Sequence, residues 1–412
     1  MIVDEIPVID VDSHISEPPD LWLTRLPSRW RDLAPRVVAT DSPAGDIWMV
    51  DGRKMTPAWG LAPAGWREGF PSHPRVIEEV DPAAYDPAAR ARRLDEFGIR
   101  AQLLYPNILG AHIRTIMAVG DREFQLACFR AYNDFLTEFA ASAPGRFVPI
   151  TALPFFDIDA SVRELERCAE LGHKGVLLAN QPELAGMPRL RDPCWDPLFR
   201  AAEAARLPVN FHVGFALAAP AGEGVAMNEE EKKLWDAFAD GRASTVLPDI
   251  VKNTVVSIFM SNAGAITELI VSGLCERFPD LPFVSVESGF GYVPWLLEAL
   301  DWQWLNYSGR TILPDRLLPS EYFRRQIFTT FWFEGPAMAQ QVEAYRDNVM
   351  FETDFPHPTC ISPGPASYSP TARDLIEANL VSLSDDTRRR VLSTTAAHLY
   401  DLDLEEGRSN RS

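Results

Sequence analysis

Short runs of apolar residues recur along the chain, and stretches with helical spacing of apolar positions separate several of them. The runs lie at 8–13 (VIDVDS), 101–105 (AQLLY), 147–152 (FVPITA), 175–179 (GVLLA), 208–213 (PVNFHV), 283–287 (FVSVE), 327–332 (IFTTFW) and 349–353 (VMFET). Helical patterns at 87–98, 121–142, 159–172 and 196–207 precede the second to fifth runs, and the first of these ends in a glycine, a common helix stop. Eight strands alternating with helices predict an α/β fold, a TIM-like (β/α)8 barrel; an open doubly wound sheet would alternate in the same way.

Two excursions break the alternation. Residues 15–86 are rich in Pro and Trp and contain DIWMVDGRKM, whose Asp-Gly between apolar runs predicts a hairpin. Residues 216–262 carry an acidic helical pattern, NEEEKKLWDAFADG. Insertions this long after strands one and five read as walls of a site. The expectation is one barrel domain over 1–404 and a disordered tail over 405–412.

The first run raises a chemical question. In VIDVDSH the side chains of Asp10, Asp12 and His14 fall on one strand face. Burying two carboxylates and an imidazole is costly, so either the strand end is wet or these groups bind a cation.

Composition narrows the setting. The chain has 412 residues, 46% hydrophobic and 24% charged, with a net charge of −19. That balance excludes a basic surface for nucleic acid or anionic membrane. Arg388, Arg389 and Arg390 follow Asp385 and Asp386 and read as a solvated face. Five scattered cysteines without a CxxC pair fit a reducing cytoplasm. The amino-terminal stretch is acidic, and no apolar run approaches the ~18 residues of a membrane span.

In a barrel, chemistry gathers at the C-terminal ends of the strands. His14 follows strand one, His212 ends strand five, Glu287 and Ser288 end strand six, and Asp354 follows strand eight. Strands one and eight are neighbours in a closed barrel, so Asp12, His14, His212 and Asp354 can converge on one divalent ion. Two imidazoles and two carboxylates suit zinc first, with manganese or iron as alternatives. Of the other histidines, His73 and His398 read as structural or surface groups, and His173, like Lys174, precedes strand four at the opposite mouth. His112 and His357 can face the site, as can Asn107 and Arg310 as polar substrate contacts. The aromatic residues Phe211, Phe215, Phe290, Tyr292, Trp295, Trp302 and Trp332 invite an aromatic substrate, or belong to the core or to a subunit interface.

The ordered motifs VIDVDSHISEP, NFHVG, ERFPDLPFVSVESGFGYVP and ETDFPHP resemble the amidohydrolase-related family, in the branch of aminocarboxymuconate-semialdehyde and resorcylate-type decarboxylases. The resemblance implies a metal-dependent barrel, often a homodimer, with Asp12, His14, His212 and Asp354 as ligands. Asp-x-His stands where many members have His-x-His, and Glu287 stands where the family's decarboxylases have a catalytic histidine.

That last departure favours hydrolysis of a small, aromatic or cyclic organic acid. The metal would lower the pKa of its water, Asp354 would accept the proton, and Glu287 would serve as a second acid or orient the substrate. The alternative is non-oxidative decarboxylation of an aromatic or enol carboxylate, with Glu287, His112 or His357 supplying the proton. A non-catalytic barrel with a structural metal is a third reading.

Overall fold

The computed structural model describes residues 1–42, 44–70, 72–215, 247–361, 364–365 and 367–404. Its centre is a parallel barrel of β1 (Val8–Asp10), β2 (Ile99–Pro106), β3 (Phe147–Ala152), β4 (Gly175–Ala179), β5 (Val209–His212), β6 (Phe283–Val286), β7 (Ile327–Phe331) and β8 (Val349–Phe351). Each strand pairs with the next in parallel register. Just past their ends β8 and β1 meet: Val11 N donates to Phe351 O at 3.0 Å and Asp354 N to Asp12 O at 2.9 Å. This return, which an open sheet lacks, sets the end of the eighth strand beside that of the first. The strands are apolar at most positions because side chains fill the barrel inside and helices cover it outside.

The helices α1 (Pro87–Phe97), α2 (Arg122–Ala141), α3 (Ile158–Glu170) and α4 (Asp196–Ala205) follow the expected spans. Asp86, Asp121 and Asp157 start the first three by accepting from backbone N–H groups two or three residues inside, caps worth about 1 kcal/mol each. Gly98, at φ 76°, takes the left-handed turn that ends α1.

The first excursion folds into a three-stranded antiparallel sheet, Arg36–Val38, Ile47–Val50 and Arg53–Pro57. Its hairpin turns at Asp51 and Gly52, both at positive φ, as a two-residue turn between twisted strands requires. Trp22 pins this excursion to α2 by donating to Cys128 O at 3.0 Å, and its ring packs edge-on against Trp48. The following stretch, Thr56 to Leu61, is thereby brought to the barrel mouth.

The acidic helical pattern of the second excursion lies outside the described residues. Beyond it Leu247–Lys252 and Asn253–Phe259 lead into α5 (Ser261–Val271). Contrary to expectation, the helical run Leu247–Val271, 25 residues, is long and apolar enough to cross a membrane by length and composition. Its distal half is a barrel helix, burying Ile266, Leu269 and Ile270 in the core. The tail over 405–412 is likewise outside the described residues.

Candidate active site

The alternation in VIDVDSH splits at Asp10. Its carboxylate accepts from Gln102 Nε2 at 2.6 Å and Thr353 N at 2.9 Å, tying β1 to its neighbours on both sides. Asp12 and His14 are left for the barrel mouth. His14 pairs with Tyr105 at the end of β2, and the buried Arg90 guanidinium holds its carbonyl at 2.8 Å.

Four strand ends then converge. His14 Nε2 lies 3.0 Å from His212 Nε2 and 3.6 Å from both Asp12 Oδ1 and Asp354 Oδ1. His212 Nε2 is 3.3 Å from Asp12 Oδ1, while its Nδ1 sits 2.7 Å from Val213 O. A carbonyl only accepts, so Nδ1 carries the proton and Nε2 offers a lone pair to the cluster. Glu287 Oε2 approaches His212 Nδ1 at 3.4 Å. Ligand atoms of Asp12, His14, His212 and Glu287 all lie within 4.8 Å of one another, as do those of His14, Glu287, Asp354 and His357.

Both oxygens of Asp12 and both of Asp354 are buried without a hydrogen-bond partner. Such groups are costly unless something compensates them, and a divalent cation compensates all of them together. The residues present therefore fit a metal, and the donor set is imidazole and carboxylate without thiolate.

The backbone is bent to build this cluster. Glu287 and Asp354 adopt φ of 62° and 59°, a left-handed conformation costing about 1–3 kcal/mol for a side chain of this kind. Glu352, one layer deeper, steadies the first turn by accepting from Glu287 N at 3.1 Å.

Charge accumulates here. Burial, and then repulsion from Asp12, raises the Asp354 carboxyl well above the usual range; burial and Asp354 do the same to Glu287. Burial opposes charge on His212, but the carboxylates of Asp12 and Glu287 outweigh it and push its pKa up to about 10. His14 is driven well down by burial and by the two neighbouring imidazoles.

His357 stacks on His14, ring centroids 3.7 Å apart. Its Nε2 lies 2.8 Å from Asn107 Oδ1, and Asn107 Nδ2 donates to Ile15 O at 3.2 Å. The amide orientation leaves an acceptor facing His357, so Nε2 carries the proton and the bare Nδ1 lies 2.8 Å from Asp354 Oδ1, two acceptors that need a proton on Asp354 or a cation between them. Glu17 holds this arrangement from behind, accepting from Asn107 N at 3.0 Å and Ile108 N at 2.9 Å. Burial pushes the Glu17 carboxyl up to about 7.

The cluster forms the floor of a cavity of about 280 Å³. His14, His212, Glu287, Asp354 and His357 line it, as do Asn107 and His112. Two expected contacts do not reach it. Phe290 is fully buried against Tyr345, because Glu334 takes its N–H and turns the ring into the core. Arg310 is exposed on the short helix Gly309–Ile312, beyond α6 (Val293–Asn306). Of the aromatic residues singled out, Phe215 lines the cavity. Phe211 and Trp332 are core, Tyr292 bonds Ser285 and Ser288, and Trp295 and Trp302 face outward from α6. Phe70, Tyr105 and Phe259 line the cavity and were not legible from strand-end counting. Glu17 was also missed, although it follows His14 by three residues in the same motif.

A family model described as amidohydrolase matches residues 9–402. The gamma-resorcylate decarboxylase of Polaromonas sp. (strain JS666 / ATCC BAA-500) is 26% identical over 277 residues, 65% of this chain and 76% of that protein. Among solved structures, amidohydrolase map2389c from Mycobacterium avium subsp. paratuberculosis K-10 superposes with a TM-score of 0.69 at 21% identity, covering 96% of this chain and 99% of that one. The dihydroxybenzoic acid decarboxylase from Polaromonas sp. JS666, with bound manganese and 2-nitroresorcinol, gives 0.60 at 20% identity, covering 96% and 97%.

The curated relatives are decarboxylases, which overturns the expectation of hydrolysis drawn from Glu287. The physical reason is that a carboxyl at the sixth strand end does not choose the bond broken. Either reaction needs an ion and a nearby acid, and Glu287 packs against His212 in a form suited to holding a proton. The chain belongs to the amidohydrolase family of enzymes.

Proposed function

We propose that the protein is a divalent-metal-dependent, non-oxidative decarboxylase of an aromatic carboxylate. The observation that carries this reading is the meeting of Asp12, His14, His212 and Asp354, with uncompensated carboxylate oxygens, at the floor of a largely apolar cavity. The decarboxylase names of the relatives support the reaction.

These four residues would hold the ion, with Glu287 beside them. When bound, a divalent cation would supply Lewis acidity towards the substrate's carboxylate. The bond between ring carbon and carboxylate breaks, its electron pair stays on the ring carbon, and carbon dioxide leaves. That carbon takes one proton, so no oxidant or reductant is needed. Glu287 is the donor in this scheme: it lines the cavity, and burial together with the Asp354 charge beside it favours its protonated form. Asn107 fixes the His357 ring beside Asp354.

Carboxylates make up half of the donor set and thiolates none of it, which suits manganese as well as the zinc expected from sequence, and a relative's structure holds manganese. An ion with only a structural role is disfavoured by the cavity above it. The outward Trp295 and Trp302 support a homodimer through α6, which light scattering tests. Five free cysteines support a reducing, cytoplasmic setting.

The test is to load metal-free protein with manganese, supply 2,6-dihydroxybenzoate and salicylate, and follow carbon dioxide and the decarboxylated phenol. Metal-dependent release of both products is expected. Intact acids after prolonged incubation with stoichiometrically loaded protein overturn the reading.

A further inference from the structure

Glu287 sits in a turn that its own residues do not favour. β6 ends at Val286, and the chain then passes through Glu287 at φ 62° and Gly289 at φ 70° before α6 begins at Val293. Two left-handed residues within three positions are costly, above all where one is a glutamate, so contacts outside the turn must hold it.

Before the turn the backbone is anchored twice. Asn262 Nδ2 donates to Val286 O at 3.1 Å, and Glu287 N donates to Glu352 Oε2 at 3.1 Å. After it, a second buried carboxylate takes over. Glu334, three residues past β7, accepts through Oε1 from Phe290 N and from Gly291 N, the latter at 3.1 Å. Its Oε2 accepts from Trp332 N at 3.0 Å, and Asn379 Nδ2 holds its carbonyl at 2.9 Å. Thr329 Oγ1, on β7, donates to Gly289 O at 3.2 Å.

Successive N–H groups following a left-handed residue form a concavity that binds anions. Here the anion is a side chain of the same polypeptide. The fit is close: a Cβ on Gly289 would lie 2.7 Å from both Glu334 Oε1 and the Phe333 ring, so only glycine leaves room for the carboxylate. Burying a carboxylate is expensive, and Glu334 does not line the cavity. Its visible effect is on the shape of the turn.

We propose that Glu334 is a positioning residue: by filling the Gly289–Gly291 turn it fixes the backbone that aims the Glu287 carboxyl into the cavity beside His212. The inference rests on the decarboxylase reading for the task given to Glu287, whereas the clamp itself is a matter of backbone geometry. What the clamp requires of residue 334 is reach, with charge secondary.

Two substitutions separate reach from charge. Glu334→Asp keeps the carboxylate but draws it back by one methylene; Glu334→Gln keeps the reach and an acceptor without the charge. On manganese-loaded protein, Glu334→Asp is expected to lower kcat for carbon dioxide release by about tenfold to 100-fold with KM changed less, as misplacing a reacting group does. Glu334→Gln is expected to recover most of that loss. Gly289→Ala presses a methyl group against the same carboxylate and is expected to reproduce the Glu334→Asp pattern. In a Glu287→Gln background, Glu334→Asp is expected to change kcat by less than about twofold, because a residue acting only through Glu287 has nothing left to position. Amide hydrogen exchange over residues 283–296 reads the turn without turnover, and faster exchange is expected in Glu334→Asp than in the parent or in Glu334→Gln. Parental kcat in Glu334→Asp or Gly289→Ala, an equal loss in Glu334→Gln, or the full loss in the Glu287→Gln background overturns the proposal. If no form releases carbon dioxide, the decarboxylase reading falls and exchange alone decides the clamp: faster exchange in Glu334→Asp supports it, and unchanged exchange overturns it.

Discussion

Asn107 and His357 stand on the ends of different strands, and the amide of one sets the tautomer of the other. Asn107 Oδ1 accepts from His357 Nε2 at 2.8 Å, leaving His357 Nδ1 aimed at Asp354. Asn107→Leu removes that acceptor and leaves a buried N–H unpaired, a cost of about 1–3 kcal/mol. The ring is then free to turn from Asp354. Turnover kinetics with manganese are expected to show kcat lowered by about tenfold or more with KM changed less. Equal losses in kcat for Asn107→Leu and Asn107→Asp, which retains an acceptor, would remove the tautomer argument.

His212 contributes the nitrogen closest to His14. His212→Ala leaves Asp12, His14 and Asp354 without their fourth partner and removes the stoichiometric metal. Metal analysis by mass spectrometry after gel filtration checks this. Unchanged occupancy in the variant would break the link between these residues and an ion.

Glu287 is assigned to the proton, not to holding the ion. Glu287→Gln keeps the shape and a hydrogen-bonding head but cannot donate an acidic proton. Its expected phenotype is full manganese content with kcat reduced by about 10²–10⁴-fold. Loss of the metal along with the activity would reassign Glu287 as a ligand.

At the opposite mouth, His173 offers a pH prediction that involves no metal. Its ring lies between Thr137 Oγ1 and Thr151 Oγ1, each at 2.9 Å. Thr137 already donates to Asn133 O, so it accepts from Nε2–H, and Thr151 donates to Nδ1. Burial, and then the nearby Arg167 charge, lowers the pKa to about 3. The unfolded chain takes up this proton near pH 6.5 while the folded one does not. The stability contributed is therefore complete above that pH and falls as the pH drops from 6.5 towards 3, by at most about 1.4 kcal/mol per pH unit. His173→Gln is expected to be less stable at pH 7, and to lose about 2 kcal/mol less than the parent between pH 7 and 5. Urea denaturation at the two pH values checks this, and parallel losses would refute it.

Sequence and fold divide the explanation unevenly. The eight β runs and the four helices between β1 and β5 were readable because their cues are local: apolar runs, a periodicity, an aspartate before the first turn, a glycine after the last. The residues that meet as donors were readable for a related reason. A barrel puts its chemistry at strand ends, and Asp12, His14, His212, Glu287 and Asp354 are polar side chains set just where apolar runs stop. What periodicity could not reveal was the fate of a side chain once the ring had closed. Asp10 and Asp12 share a strand face, yet one is used up bridging strands and the other is left unpaired. Phe290 and Arg310 sit near a site strand in sequence, but Glu334 pulls the first into the core and a helix carries the second to the outer surface. Phe70 and Phe259 reach the cavity from the excursions, and Glu17 braces Asn107 from behind it, along paths that depend on packing such as Trp22 against α2. Local pattern determined the elements and the positions of their ends; contacts between residues hundreds of positions apart decided which end groups would face each other.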